Sequence, residues 1–282
     1  MIYNKNGNAL TSAYSVSGNQ LNRAYDLNGS IVFQSVLKVM TYNVQWFQNF
    51  NSQQTMQELI INSNDADIIG IQEISKNGTI PSLGQAVLSG YGYKQLSSHK
   101  NYMALASKKQ FSNYSTADFQ NQDAYDASEY NETRAYQKCT INVGGTPIVW
   151  INAHLCFHDA SVKAAQMMEL LAVAEQSDYC IITGDFNSYC SAISDADYVS
   201  MYKPFVDAGY NLANCTEEKG FTKTWTDSAV ATSTAEMTYA TDNIITSSNI
   251  NITSVKYDST KFSYLDGSSI DHIPVIAELQ IN

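Results

Sequence analysis

The stretch Tyr179-Cys180-Ile181-Ile182-Thr183-Gly184-Asp185-Phe186-Asn187 constrains this chain most, because an apolar run ends abruptly in a glycine, a carboxylate and an amide. The run reads as a buried strand. Gly184 permits a tight exit, so Asp185 and Asn187, two positions apart, can both project from the strand's end into a shared cleft. One would then act as a base or metal ligand and the other as a neutral hydrogen-bonding group, which is equipment for phosphate chemistry. An ordinary strand followed by an Asp/Asn turn is the alternative for this stretch taken alone.

The same arrangement recurs along the chain. Residues 36–44 read as a strand ending in polar residues, Asn43 among them, and residues 66–73 as a second buried strand with Glu73 at its end. Residues 134–143 and 147–154 read as a hairpin closed by Gly144-Gly145, with Arg134 at its start and His154 at its finish. Further strands are predicted at 91–96, 102–107, 221–226, 240–245 and 269–275, the last two carrying Asp242 and the pair Asp271-His272. Helices are predicted near 52–62, 82–89 and 196–208. Another, capped by Ser161, runs to about 176 with Val162, Ala165, Met168, Leu171 and Ala172 as its apolar stripe. The polar stretch from 108 to about 132 reads as one long loop. Strands alternating with a few helices, with polar pairs at strand ends, suggest two sheets packed face to face, helices outside and a site at one edge.

The first 36 residues repeat themselves. Tyr3, Tyr14 and Tyr25 are spaced by eleven, as are Gly7, Gly18 and Gly29, and Leu10, Leu21 and Val32. Each unit reads as strand, glycine turn, strand, with Asn6-Gly7 and Asn28-Gly29 as hairpin signals. Three such units bury little core alone, so residues 1–35 form an extension that leans on the main domain, on a protein partner or on copies of itself. Residues 36–282 form the main domain.

Charge bounds the function. A net charge of −11 argues against a broad, nonspecific grip on a polyanion, which needs clustered Lys and Arg. It leaves room for a phosphate substrate, since a divalent cation held by carboxylates supplies positive charge locally. No run approaches 18 apolar residues, so no transmembrane segment is expected, and residues 1–7 lack the apolar centre of a signal peptide. That reads as a cytoplasmic protein or one released without a classical signal. The five cysteines show no Cys-x-x-Cys spacing, and most of them read as buried free thiols without metal.

Taken in order, Asn43, Glu73, His154, Asp185 with Asn187, Asp242, and Asp271 with His272 resemble the endonuclease/exonuclease/phosphatase superfamily from Leu37 to the C-terminus. Within it the motifs are most similar to deoxyribonuclease I. Gly184-Asp185-Phe186-Asn187 is followed by Cys190-Ser191, and Asp227-Ser228-Ala229 and Ala231-Thr232-Ser233-Thr234 precede Asp242. The resemblance implies a four-layer α/β sandwich. It implies Asn43, Glu73 and Asp271 as metal ligands, and His154, Asp185, Asn187, Asp242 and His272 as catalytic residues. Arg134 and Asn187 would bind the substrate phosphate, and Tyr102 would join them where relatives contact nucleic acid, core packing being its alternative role.

The chemistry of these side chains agrees. Glu73 and Asn43 are hard oxygen ligands suited to Mg²⁺, with Mn²⁺ or Ca²⁺ as alternatives, rather than to zinc. His272 oriented by Asp242 can take the proton of an attacking water; alternatively Asp185 is the base and His272 stabilises the phosphate charge. Some features depart from the family's patterns. Cys190 has no partner cysteine near Asp242, and no carboxylate around residues 100–103 is identifiable to orient His154. Gln72-Glu73-Ile74-Ser75 differs from the apurinic endonucleases, and Thr241-Asp242-Asn243 from the inositol phosphatases. The expectation is a metal-dependent phosphodiester hydrolase, a deoxyribonuclease I-like endonuclease on DNA. A phosphatase or sphingomyelinase-type phosphodiesterase on a small or lipid substrate, and a non-catalytic binding module of the same fold, are the alternatives.

Overall fold

The computed structural model describes residues 23–25, 31–34, 36–45, 51–75, 88–96, 102–125, 133–215, 220–226, 233–260 and 271–282. In chain order its elements are β1 (Arg23–Tyr25), β2 (Ile31–Gln34), β3 (Val36–Asn43), α1 (Asn51–Asn64), β4 (Ile68–Gln72), β5 (Tyr93–Leu96), β6 (Ala104–Ser107), β7 (Phe111–Asp118), β8 (Ala135–Val143) and β9 (Thr146–His154). Then come α2 (Ala160–Ala174), β10 (Cys180–Asp185), a π-helical turn (Tyr198–Tyr202), α3 (Lys203–Asp207), β11 (Asn211–Leu212), β12 (Asp242–Thr246), β13 (Ile250–Tyr257) and β14 (Val275–Ile281). One six-stranded sheet has the order β13-β14-β3-β4-β6-β5 and the other β11-β12-β10-β9-β8-β7. β3 and β4 run parallel with α1 as their crossover, and β9 and β10 run parallel with α2 as theirs.

Side-chain alternation builds four layers from these strands. Leu37, Val39, Ile68, Trp150, Ile181 and Ile244 face inward and form one core between the sheets. Their chain neighbours Met40 and Ile69 face outward under Ile60 and Ile61 of α1, while Ile151 and Ile182 face outward under Met167 and Leu170 of α2. The expected two-sheet α/β sandwich is therefore the observed fold. Continuing the inward series by twos gives Thr41 and Asn43 on β3, Gly70 and Gln72 on β4, Asn152 and His154 on β9, and Thr183 and Asp185 on β10. The inter-sheet layer thus grades from hydrocarbon through neutral polar groups to charge.

The neutral band is a closed network. Gln72 Nε2 donates to Asn152 Oδ1 at 2.7 Å and Asn152 Nδ2 to the carbonyls of Ile71 and Ala104 at 3.1 and 3.2 Å. Thr183 Oγ1 lies 3.1 Å from Asn152 Oδ1 and accepts from Trp150 Nε1 at 3.1 Å. Gly70 makes room for it: a Cβ there would stand 2.1 Å from Thr183 Oγ1 and 2.5 Å from Asn152 Oδ1.

Several sequence expectations are corrected. The stretch read as a loop from 108 to 132 contains β7, a mostly solvated edge strand paired with β8, whose polar residues hide it from a hydrophobicity search. The carboxylate of Asp159, not Ser161, caps α2, accepting from the amides of Ser161 and Val162. The buried face of α2 is Lys163, Gln166, Met167, Leu170 and Ala174 instead of the expected stripe, of which Met168 and Ala172 are exposed. The helix expected over 196–208 opens with a π-helical turn. Residues 221–226 form no strand; Trp225 makes single bridges to Tyr239 and His272. The final strand begins at Val275 instead of ending there, and β13 was not anticipated. Of the helix near 82–89 all but the last two residues lie outside the described residues, as do repeat residues 1–22. β1 and β2 pair as an antiparallel two-stranded sheet of their own, flanking the Asn28-Gly29 signal. All five cysteines are free, four of them buried, as expected.

Candidate active site

Strand register brings the charged end of the inter-sheet layer together. Asp185, the last residue of β10, pairs with His154 at the end of β9 on one side and with Asp242 at the start of β12 on the other. From the facing sheet Asn43, last residue of β3, donates its Nδ2 to Asp185 Oδ2 at 2.9 Å and to Glu73 Oε1 at 3.1 Å. Glu73 follows β4 with a φ of 51°, a left-handed conformation that re-aims a side chain strict alternation would send outward. Asp185 Oδ2 is the hub. His154 Nε2 lies 3.7 Å from it and His272 Nε2 3.6 Å.

His272 is held at its other nitrogen, with Nδ1 2.9 Å from Asp242 Oδ2, which also accepts from Thr241 Oγ1 at 2.9 Å. Burial alone would lower the imidazole's pKa, but the carboxylates of Asp242, Asp271 and Asp185 outweigh it and raise it to about 10. His272 is therefore an imidazolium at neutral pH. His154 goes the other way: burial, reinforced by Arg134, lowers it to about 3. Its partner is that arginine, whose Nη1 lies 3.0 Å from His154 Nε2. Guanidinium has only donors, so Nε2 of a neutral His154 accepts and Nδ1 carries the proton. Arg134 thus orients the ring at Nε2, while Nδ1 is buried and has no hydrogen-bond partner among the described residues. The guanidinium itself is buried and stands 5.7 Å above the Phe157 ring.

The remaining predicted residues are placed as follows. Asn187 has a φ of 50°, gives its amide N–H to Asp185 Oδ1 at 2.9 Å and its Nδ2 to the Leu155 carbonyl at 2.9 Å. Asp271 accepts from Trp225 Nε1 at 3.3 Å and lies 3.9 Å from His272 Nε2. Tyr102 packs against the core cluster under α1, its alternative role. Gly184 lies within β10, not after it; a Cβ there would come 2.8 Å from the Ala153 carbonyl, so close strand packing, not a turn, demands the glycine. Sequence reasoning missed Gln72, Asn152 and Thr183 beneath the site, all readable from the inward series by twos. It also missed Lys163, discussed below, and Thr241.

The donor set suits a divalent cation. Among the described residues four carboxylates, Glu73, Asp185, Asp242 and Asp271, surround the site against two cations, Arg134 and the imidazolium of His272, and Asp242 Oδ1 is a buried acceptor with no hydrogen-bond partner among them. Ligand atoms of Asp185, Asp242 and His272 lie within 4.8 Å of one another. Because the Asp242–His272 pair is already closed by its own hydrogen bond, the hard oxygens of Glu73 are the better first ligands. Asn43 here presents its nitrogen to the carboxylates, while its Oδ1 accepts from the Gln45 amide.

Comparison with known proteins agrees with this picture. The sequence model of the Endonuclease/Exonuclease/phosphatase family matches residues 40–257, a span that holds Asn43, Glu73, His154, Asp185 and Asp242 and stops short of Asp271 and His272. No curated protein sequence matches. Among solved structures, D. rerio TDP2 complexed with single strand DNA product is similar at 16% identity over 87% of this chain and 99% of that one, with a TM-score of 0.66. An endonuclease/exonuclease/phosphatase from Bacteroides vulgatus is similar at 14% identity over 88% and 100%, TM-score 0.65. A functionally unknown conserved protein from Enterococcus faecalis V583 is similar at 16% over 87% and 100%, TM-score 0.62. At such identities the likeness is one of fold.

Proposed function

This chain belongs to the endonuclease/exonuclease/phosphatase family, and from that premise we propose that it is a divalent-metal-dependent phosphodiester hydrolase, a deoxyribonuclease I-like endonuclease acting on DNA. Members of the family are generally hydrolases of phosphodiester bonds. The observation that carries the reading is Asp185 Oδ2 between two histidines of opposite charge state, 3.7 Å from neutral His154 and 3.6 Å from protonated His272. The D. rerio TDP2 structure, which holds a single-strand DNA product, supports nucleic acid as the substrate class.

Glu73, with Asp271 and with Asn43 once its amide turns to present Oδ1, would hold Mg²⁺, or Mn²⁺ or Ca²⁺ in its place, and a bound cation would polarise a phosphoryl oxygen. The chain's own groups do the rest. Since His272 already carries its proton, Asp185 is the residue suited to take the proton of the attacking water at Oδ2. Asp242 fixes His272 through Nδ1, leaving Nε2 to donate to the charge developing on the phosphate. On the opposite flank neutral His154 orients Arg134, which brings a fixed positive charge to the substrate side. Asn187, locked by Leu155 and Asp185, keeps the base in register.

Plasmid nicking with and without EDTA, run beside bis-p-nitrophenyl phosphate and sphingomyelin, tests the proposal. Nicking abolished by EDTA is expected. Hydrolysis of sphingomyelin without nicking would move the assignment to a lipid phosphodiesterase, a reading favoured by the net charge of −11. Residues 1–35 are proposed as a separable attachment segment, through a partner or self-association, because every site residue lies beyond them.

A further inference from the structure

Lys163 sits on the buried face of α2 among Met167, Leu170 and Ala174, 1% exposed. Burying an ammonium costs several kcal/mol unless it is paired and hydrogen-bonded, and an apolar side chain would serve helix packing better. Its three contacts all belong to the segment that follows β10. Nζ donates to the backbone carbonyl of Asn187 at 2.9 Å, pairs with Asp197 Oδ2 at 3.2 Å and lies 3.9 Å from the centre of the Tyr189 ring. Asp197 Oδ2 in turn accepts the Tyr189 amide at 2.8 Å. The ammonium and carboxylate therefore bracket residues 187–189.

We propose that Lys163 is a positioning residue, a buried cationic latch that holds Asn187 in its left-handed conformation and thereby sets Asp185 for reaction. The proposal rests on the hydrolase reading above. Asparagine tolerates a φ of 50° better than other non-glycine residues, but its short side chain does not fix that conformation unless the surroundings hold it. Asn187 is held at three points: its N–H on Asp185, its Nδ2 on Leu155 and its carbonyl on Lys163. The first two involve groups that move with the turn or with the neighbouring strand end. The lysine ties the Asn187 carbonyl itself to α2, while the chain neighbours of Asn187 are held otherwise, Ser188 by its Oγ 3.0 Å from Tyr202 Oη and Phe186 by packing in the core cluster with Met167 and Leu170. Releasing the lysine frees the peptide plane after Asn187 and lets the residue's φ and ψ relax, which loosens the preceding plane, whose N–H fixes which Asp185 oxygen faces the histidines.

Lys163→Met keeps the length and apolar stem and removes the donor. Two readouts follow. Turnover of bis-p-nitrophenyl phosphate with Mg²⁺ is expected to fall by about 10- to 100-fold with KM within about twofold, as a misplaced catalytic group loses rate without losing substrate. Hydrogen exchange of the Asn187 amide, followed by NMR, is expected to accelerate by about 10-fold or more, while Ile181 and Ile182 in β10 keep their protection. An unchanged kcat in a folded variant, or unchanged Asn187 exchange, overturns the latch. If wild type hydrolyses none of the substrates tried, the hydrolase reading fails, and the exchange readout alone decides the latch. If K163M does not fold because the half-buried Asp197 loses its cation, the double variant K163M/D197N removes that charge, keeps an acceptor for the Tyr189 amide, and is put through the same two measurements.

Discussion

Asn43 Nδ2 donates to Asp185 Oδ2 at 2.9 Å across 142 residues of sequence, joining the last residue of a strand in one sheet to the last residue of a strand in the other. The same nitrogen reaches Glu73, so one neutral amide keeps two carboxylates from facing each other unscreened. Asn43→Asp replaces that donor with a third carboxylate. Its Tm without metal is expected to fall by several degrees, and added Mg²⁺ to recover more of the loss than it adds to wild type. Melting curves in EDTA and in Mg²⁺ check this; equal losses in both would mean that the amide acts by packing alone.

Glu73→Gln should abolish most activity with little change in Tm, because it exchanges a charged oxygen ligand for a neutral one of equal size on a residue whose side chain is partly exposed. Calorimetric titration with Mg²⁺ or Mn²⁺ is the direct check. Affinity equal to that of wild type would remove Glu73 from the ligand set.

The two histidines give stability opposite pH dependences. His272 has its pKa raised to about 10 in the folded state, so its contribution is complete below the ordinary value near 6.5 and is lost as pH climbs toward 10. His154, lowered to about 3, stays neutral in the folded state while the unfolded chain takes up a proton below 6.5, so stability also falls from there toward pH 3. Tm should therefore peak near neutrality. His272→Gln should flatten the alkaline limb and His154→Gln the acid limb; a variant that leaves its own limb as steep as wild type contradicts the assigned charge state.

Where a strand keeps its alternation, the site was legible in advance. Asn43, His154, Asp185 and Asp242 stand on the inner faces of neighbouring strands, and an apolar series by twos that turns polar at its end identifies such positions without coordinates. Glu73 escapes that logic, since its left-handed backbone overrides the alternation; its place at the end of an apolar run and the family resemblance pointed to it instead. Lys163 was invisible for a different reason. The expected stripe of α2 was built from apolar residues alone, so it took the half-buried Val162 and Ala165 and passed over the buried Lys163 and Gln166 beside them. β7 was lost because an edge strand needs no apolar alternation to be held by its neighbour's backbone.

Gly70→Ala probes the neutral band under the site. The added methyl would meet Thr183 Oγ1 and Asn152 Oδ1 far inside contact distance, in a layer where both are fixed by hydrogen bonds from two sheets. A destabilisation of about 2–4 kcal/mol is expected in urea titrations, in line with forced overpacking and a broken buried network. A loss under about 0.5 kcal/mol would show that the network relaxes freely and does not set the spacing of the sheets.

His272 and Asp242 should behave as one unit, because the 2.9 Å bond between Nδ1 and Oδ2 both aims the ring at Asp185 and maintains its charge. His272→Ala is expected to lower kcat by about three orders of magnitude, the scale of a lost charged donor to the transition state together with its positioning. Asp242→Asn should cost less, since the amide can still accept from Nδ1–H through its oxygen while giving up the charge that raises the imidazole's pKa. If the aspartate works only through the histidine, the double variant loses no more than His272→Ala does. Independent roles would instead multiply the two losses, and Asp242, whose Oδ1 is a buried acceptor with no hydrogen-bond partner among the described residues, would then have to be assigned to the cation. Mg²⁺ affinity measured on Asp242→Asn distinguishes that outcome, because a ligand's removal weakens metal binding whereas loss of an orienting partner does not.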